Sequence, residues 1–218
     1  MARDVMRFIR DEAYAASAAL AAERGPFPLY RECDYLATGA IGVALPAPVR
    51  DAIKKYGLRN SHLISIAPTG SVSLAFSDNC SNGIEPPYDW SYSRTVRFQG
   101  AQPVNMTIAN HAWRLWKQLY GEAAQLPDYF VNAASISPED HVSMLAAIQP
   151  YVDASVSKTV PVSANCPLES VQSLFLQAWR SGLKGLTIFR PDPHMDAVMH
   201  AEDTQGRASE PRECGVCG

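Results

Sequence analysis

Residues 156–189 read VSKTVPVSANCPLESVQSLFLQAWRSGLKGLTIF. Val156 to Val162 is rich in β-branched residues and has strand length, with Pro161 marking an end or an edge. Leu168, Val171, Phe175, Ala178 and Trp179 then recur at helical spacing, and Gly182 closes the pattern. Leu183 to Phe189 returns to strand character. Strand, helix and strand within about 35 residues make a βαβ crossover, so the two strands are expected to run parallel. The chain is accordingly of the α/β class.

Working toward the N-terminus, Ser137-Pro138-Glu139-Asp140 opens a further helix, with serine as cap, proline in the first turn and acids at the positive end. Val142, Leu145 and Ile148 form its buried side. A helix is expected near 107–120, with Ile108, Ala112, Leu115, Trp116 and Leu119 as core residues. Residues 78–104 read as a long irregular segment whose aromatics, Tyr88, Trp90 and Tyr92, pack against a partner or against the chain itself. Ala47–Lys55 suggests a short helix. Residues 3–23 read as a helix that buries Val5, Ile9, Ala13, Ala16 and Leu20 and stops at Gly25-Pro26.

The segment with most chemistry is Ser65 to Pro86. Leu63–Ala67 reads as a short buried strand ending at Pro68, and Thr69, Gly70, Ser71 and Ser73 follow in a hydroxyl-rich turn that opens a helix at Val72–Phe76. Such a turn points unpaired N–H groups and a partial positive charge outward, which suits a phosphate. The bland alternative is an ordinary strand-to-helix turn with a serine cap.

With 218 residues, 47% apolar and 19% charged, the chain has the balance of one globular domain or a substantial piece of one. A net charge of −3 provides no basic field for a nucleic-acid polymer or a membrane surface. No stretch approaches the roughly 20 apolar residues needed to cross a bilayer. Ala15 to Ala22 is flanked by acids, so it reads as a helix of the mature protein and not as a signal peptide. Five cysteines, an odd number with no export signal, point to a reducing, cytoplasmic compartment.

Beyond Arg190 the pattern is lost, and residues 191–213 read as a mobile linker ending in Glu213-Cys214-Gly215-Val216-Cys217-Gly218. A Cys-x-x-Cys pair on a flexible arm suits thiol–disulfide exchange, one thiolate attacking and its neighbour resolving the mixed disulfide. Half of a zinc site and two idle thiols are the alternatives, and no metal site is expected. Cys33, Cys80 and Cys166 read as small core or loop residues, with Cys80 near enough to the hydroxyl-rich turn to face a ligand there.

Ala67-Pro68-Thr69-Gly70-Ser71-Val72-Ser73, followed by Asn82-Gly83-Ile84-Glu85-Pro86, resembles the substrate-phosphate loop of ribonucleotide reductase large subunits. Ala22-Glu23-Arg24-Gly25-Pro26-Phe27-Pro28, Arg59-Asn60, Ser157-Lys158-Thr159-Val160 and Ala178–Gly185 fit the same family in the same order. Class I members carry a Tyr-Tyr radical relay where this chain has Leu186-Thr187-Ile188-Phe189-Arg190, and the Arg-Gly-Pro-Phe-Pro segment looks like class II. The resemblance implies residues 1–190 as the C-terminal part of a ten-stranded α/β barrel, with 191–218 as a redox tail. It implies Ala67, Pro68, Thr69, Gly70, Ser71, Val72 and Ser73 as the substrate-phosphate site. Cys214 and Cys217 would be a shuttle recharged by thioredoxin or glutaredoxin. The family's radical centre, Asn-x-Cys-x-Glu, has no counterpart here: Asn79-Cys80 has the wrong spacing to Glu85. A larger companion chain is therefore expected to hold that centre and most of the adenosylcobalamin site. This chain itself would come from a split gene or be a degenerate or truncated fragment; the clean start of its first helix and the chemistry kept at its C-terminus favour the split gene. The alternative function is a non-catalytic accessory protein that keeps the loop as a relic.

Overall fold

The computed structural model describes residues 1–37, 41–80, 82–96, 102–191 and 199–201. In chain order the elements are α1 (Ala2–Arg24), α2 (Glu32–Leu36), α3 (Ala47–Tyr56), α4 (Gly70–Phe76), β1 (Ser91–Val96), β2 (Val104–Ala109), α5 (His111–Tyr120), α6 (Pro138–Ile148), β3 (Thr159–Pro161), α7 (Leu168–Arg180), β4 (Thr187–Phe189) and β5 (Met199–Ala201). The chain divides into two compact units, one of residues 1–66, 143–156 and 178–185, the other of the remainder.

In the first unit α1 packs on α3 around Tyr14, Ala18, Leu45, Ile53 and Leu58. Phe27, Tyr30 and Tyr35 border this core, with Tyr30 and Tyr35 stacked at 5.7 Å. Gly25 ends α1 in the left-handed region at φ 75°. Gly57 ends α3 at φ 77°, where an added Cβ would stand 2.8 Å from Pro26 Cβ, so only glycine fits. The face of α1 that turns inward is the opposite of the expected one. Val5, Phe8 and Leu20 are 53%, 66% and 40% exposed, whereas Arg10, Tyr14, Ser17, Ala18 and Ala21 are buried. Small residues explain the choice. At Ser17 the returning chain comes close enough for Arg59 N to donate to Ser17 O at 3.2 Å and for Asn60 N to donate to Ser17 Oγ at 3.1 Å. Arg10 is satisfied by Asp11 at 2.6 Å and by Ala44 O at 2.9 Å.

The expected strand at 63–67 does not form as such; Ile66 alone pairs, in a parallel bridge with Val156. The cause is Asp153. Its carboxylate accepts from Leu63 N and Ile64 N, both at 2.9 Å, and from the Tyr14 hydroxyl at 2.5 Å. One side chain thus takes the donors that a neighbouring strand would have used. Burial, and then the Asp153 carboxylate, push the Tyr14 phenol far above its ordinary range.

The second unit holds the βαβ pattern as expected. β3 and β4 pair in parallel, Thr159 with Thr187 through Pro161 with Phe189, with α7 between them in sequence. Ser170, Leu174 and Ala178 are the buried positions of α7, while Leu168, Phe175 and Trp179 are exposed. Residues 78–104 are not irregular throughout: β1 and β2 form an antiparallel hairpin, Ser91 opposite Ala109 and Val96 opposite Val104. The helix expected over 107–120 therefore starts only at His111, and its apolar residues Leu115 and Leu119 are exposed. Residues 199–201, within the expected linker, add to β1 as the antiparallel strand β5. The aromatics pack within the chain, Trp90 on Phe130 at 4.8 Å and Tyr88 on Tyr92 at 5.8 Å. Among the described residues these strands make one parallel pair and one three-stranded sheet, not a closed barrel.

Helix α6 opens as the sequence suggests, with Ser137 Oγ accepting from Asp140 N at 3.1 Å, and it buries Val142, Leu145 and Ile148. It also buries His141, whose Nε2 donates to Ala133 O at 3.0 Å. Burial holds this imidazole below its ordinary pKa. The folded state therefore keeps His141 neutral, and the unfolded chain takes up a proton below about pH 6.5. Its contribution is intact above pH 6.5 and is lost as pH falls, by at most about 1.4 kcal/mol per pH unit. Denaturant titrations of wild type and His141→Gln from pH 7 to 5 should show the shallower decline in the variant. Parallel declines would contradict the assignment.

Candidate functional site

The hydroxyl-rich turn lies open on the second unit. Ala67, Pro68, Ser71 and Val72 are exposed, Thr69 and Gly70 are half-buried, and Ser73 is buried at 1% exposure. Helix α4, which follows, has only seven residues. Thr69 caps it in the left-handed conformation (φ 51°, ψ 16°) without any side-chain bond to the helix, so the serine-cap alternative is not realised. Gly70 has no positive φ, and a Cβ added there meets nothing within 4 Å. The chain's own packing does not demand glycine; the position is open.

Three buried side-chain polar atoms among the described residues lack a hydrogen-bond partner: Ser73 Oγ, Asn82 Oδ1 and Trp116 Nε1. The first two belong to the turn and to the motif that follows it. A buried hydroxyl without a partner costs free energy unless something else satisfies it. The Ser73 carbonyl, by contrast, is engaged by Ser77 N at 3.1 Å and Asn79 N at 3.0 Å.

Asn82–Glu85 closes as a tight turn, Glu85 N donating to Asn82 O at 3.1 Å. The Glu85 carboxylate then accepts from Lys158 Nζ at 3.1 Å and from the backbone N–H of Thr159. Lys158 is 3% exposed. Burial lowers its pKa, against the opposing pull of Glu85. A buried charge pair of this kind is costly to break, because the surviving partner is left uncompensated. Two motifs over 70 residues apart in sequence thus meet through one carboxylate. Neither local periodicity nor spacing announces this contact.

The structure sorts the recognised segments between the units. Residues 67–73, 82–86 and 157–160 share the second, whereas 22–28, 59–60 and 178–185 belong to the first. Cys33 and Cys80 are exposed free thiols and Cys166 is a buried one. Cys214 and Cys217 lie outside the described residues. Among the described residues no group of three or more His, Cys, Asp or Glu side chains is arranged to hold a metal, and no helix is long and apolar enough to cross a membrane.

A family model described as ribonucleotide reductase, barrel domain, matches residues 1–189. A vitamin B12-dependent ribonucleoside-diphosphate reductase of Mycobacterium tuberculosis is 31% identical over 87% of this chain and 27% of its own length. Its counterpart in Thermoplasma acidophilum is 29% identical over 96% of this chain and 27% of its own. A vitamin B12-dependent ribonucleotide reductase of Streptomyces coelicolor is 30% identical over 73% of this chain and 19% of its own. The chain thus spans about a quarter or less of the length of these relatives.

Proposed function

Because the chain belongs to the ribonucleotide reductase barrel-domain family, we propose that it is the C-terminal portion of an adenosylcobalamin-dependent ribonucleotide reductase. Within a ten-stranded barrel completed by a companion chain, Ala67, Pro68, Thr69, Gly70, Ser71, Val72 and Ser73 hold the phosphates of a ribonucleotide by backbone N–H and hydroxyl groups. The companion carries the Asn-x-Cys-x-Glu radical site. Cys214 and Cys217 return electrons from thioredoxin or glutaredoxin.

The observation that carries this reading is the turn itself. It is open to a ligand, its glycine is not needed for internal packing, and it contains a buried hydroxyl with no partner in the described chain. The companion is supported by the apolar stripe of α1 that the first unit leaves uncovered, Val5, Phe8 and Leu20, all exposed. An apolar stripe of that kind is stable in water only at a cost, and marks a surface that another element covers. The β3–β4 pair adds open strand edges, which are association sites.

Cobalamin, when bound, supplies the radical chemistry itself. A hollow on the first unit offers it few polar partners. The hollow of about 500 Å³ between α1 and α3 is lined by Ala15, Ala19, Ala22, Pro48, Val49, Ala52 and the side chains of Glu23 and Tyr56. A cofactor rimmed with amides needs more polar partners than this. Most of the cofactor's site is assigned to the companion, and this chain's main part is to bind and orient substrate.

The test is Gly70→Val in the assembled enzyme. Valine is no worse than glycine in a helix, so the thermal midpoint should hold. The Cβ and its methyls would occupy the ligand's place, and the KM for ribonucleotide should rise about tenfold or more, at least about 1.4 kcal/mol of binding. An unchanged KM in a folded variant would contradict the phosphate reading.

A further inference from the structure

The described residues contain three non-glycine positions with positive φ: Thr69 (51°), Asp78 (52°) and Asn79 (55°). All three bracket α4, one before it and two after it. Left-handed backbone costs free energy for residues with a Cβ and persists where surrounding contacts enforce it. Those contacts come from the junction of β2 and α5. Asn79 Nδ2 donates to Ala109 O at 3.3 Å, and Asn110 Nδ2 donates to Asn79 O at 3.1 Å. His111 N donates to the same Asn79 carbonyl at 3.4 Å. Asp78 is gripped by Arg114 Nη2 at 2.5 Å and by His111 Nδ1 at 2.7 Å. Arg114 and then His111 hold the Asp78 carboxyl down at about 2. Asn79 and Asn110 are themselves buried.

We propose that Asn79 and Asn110, supported by Asp78 and Arg114, are positioning residues that lock the far end of α4 and thereby fix the geometry of the 67–73 turn. The inference rests on the phosphate reading of that turn. A seven-residue helix has few hydrogen bonds of its own with which to stay rigid. Tying its exit to the start of α5 transfers the rigidity of a second helix to it. A turn that binds through N–H groups and short hydroxyls needs such support, because small displacements forfeit the hydrogen bonds. The bond from Asn110 to the Asn79 carbonyl also explains why Asn110 stands at the start of α5. Its Oδ1 accepts from Ala112 N at 2.9 Å as the helix cap, leaving its amide nitrogen for Asn79.

That division of labour supplies a selective variant. Asn110→Asp keeps the capping oxygen, since aspartate caps as well as asparagine, but removes the donor and sets a carboxylate against the Asn79 carbonyl. Asn79→Gly keeps the left-handed backbone and deletes only the amide bonded to Ala109 O. In the assembled enzyme both variants should raise the KM for ribonucleotide about five- to tenfold, the effect of one lost hydrogen bond, with a much smaller change in kcat. Amide exchange over 70–76 should quicken. Variants that lower the thermal midpoint but leave KM at the wild-type value would overturn the proposal and reduce the clamp to a structural one. If Gly70→Val is silent too, the phosphate reading itself falls; if Gly70→Val raises KM while the asparagine variants do not, the clamp alone falls.

Discussion

Replacing Cys214 and Cys217 together by serine is expected to abolish thioredoxin-driven turnover of the assembled reductase while sparing one turnover of pre-reduced enzyme. In the proposed function each reduction withdraws two electrons from a cysteine pair in the companion chain and leaves it as a disulfide. A thiolate of the tail attacks that disulfide, the neighbouring tail thiol resolves the mixed species, and the tail leaves as the disulfide for an external dithiol to reduce. The two electrons and two protons are conserved at every exchange. Serine cannot form the mixed disulfide, so the cycle stops after the first product. Quantifying product per enzyme in rapid-quench and steady-state experiments separates the two regimes. Loss of the first turnover would place these cysteines in the chemistry of reduction and remove the shuttle.

What the sequence discloses and what it hides divide along a physical line. Elements governed by local signals are legible: α6 by its Ser137 cap and acidic first turn, α3 as a short helix at Ala47–Lys55, the parallel β3–β4 pair by the crossover length. Elements governed by distant contacts are not. Leu63 and Ile64 have strand composition, yet Asp153, some 90 residues away, takes their backbone donors. The hairpin of β1 and β2 hides because Ser91–Val96 mixes polar and aromatic residues in a region rich in proline and tyrosine. The inward face of α1 does not follow hydrophobicity alone, since close approach at Ser17 outweighs the apolar stripe.

The candidate site follows the same rule. The turn at 67–73 stands out by the order of its residues, and the structure leaves Ala67, Pro68, Ser71 and Val72 exposed and buries Ser73. The Glu85–Lys158 pair is not legible, although both of its motifs stand out in the sequence, because the pairing spans 73 positions. The asparagine clamp spans 31 and looks, residue by residue, like ordinary turn and cap chemistry.

The central claim of the proposed function is that this chain works as one part of a reductase whose radical site a companion chain carries. Its residues 1–189 match the barrel-domain family, and its described strands do not close a barrel among themselves. Deoxyribonucleotide formation should therefore be measured for this chain, for the companion polypeptide that carries the radical cysteine, and for their mixture, each with adenosylcobalamin, a dithiol and a ribonucleotide. The account predicts product from the mixture and none above background from either chain by itself. Full activity of the companion without this chain would contradict it.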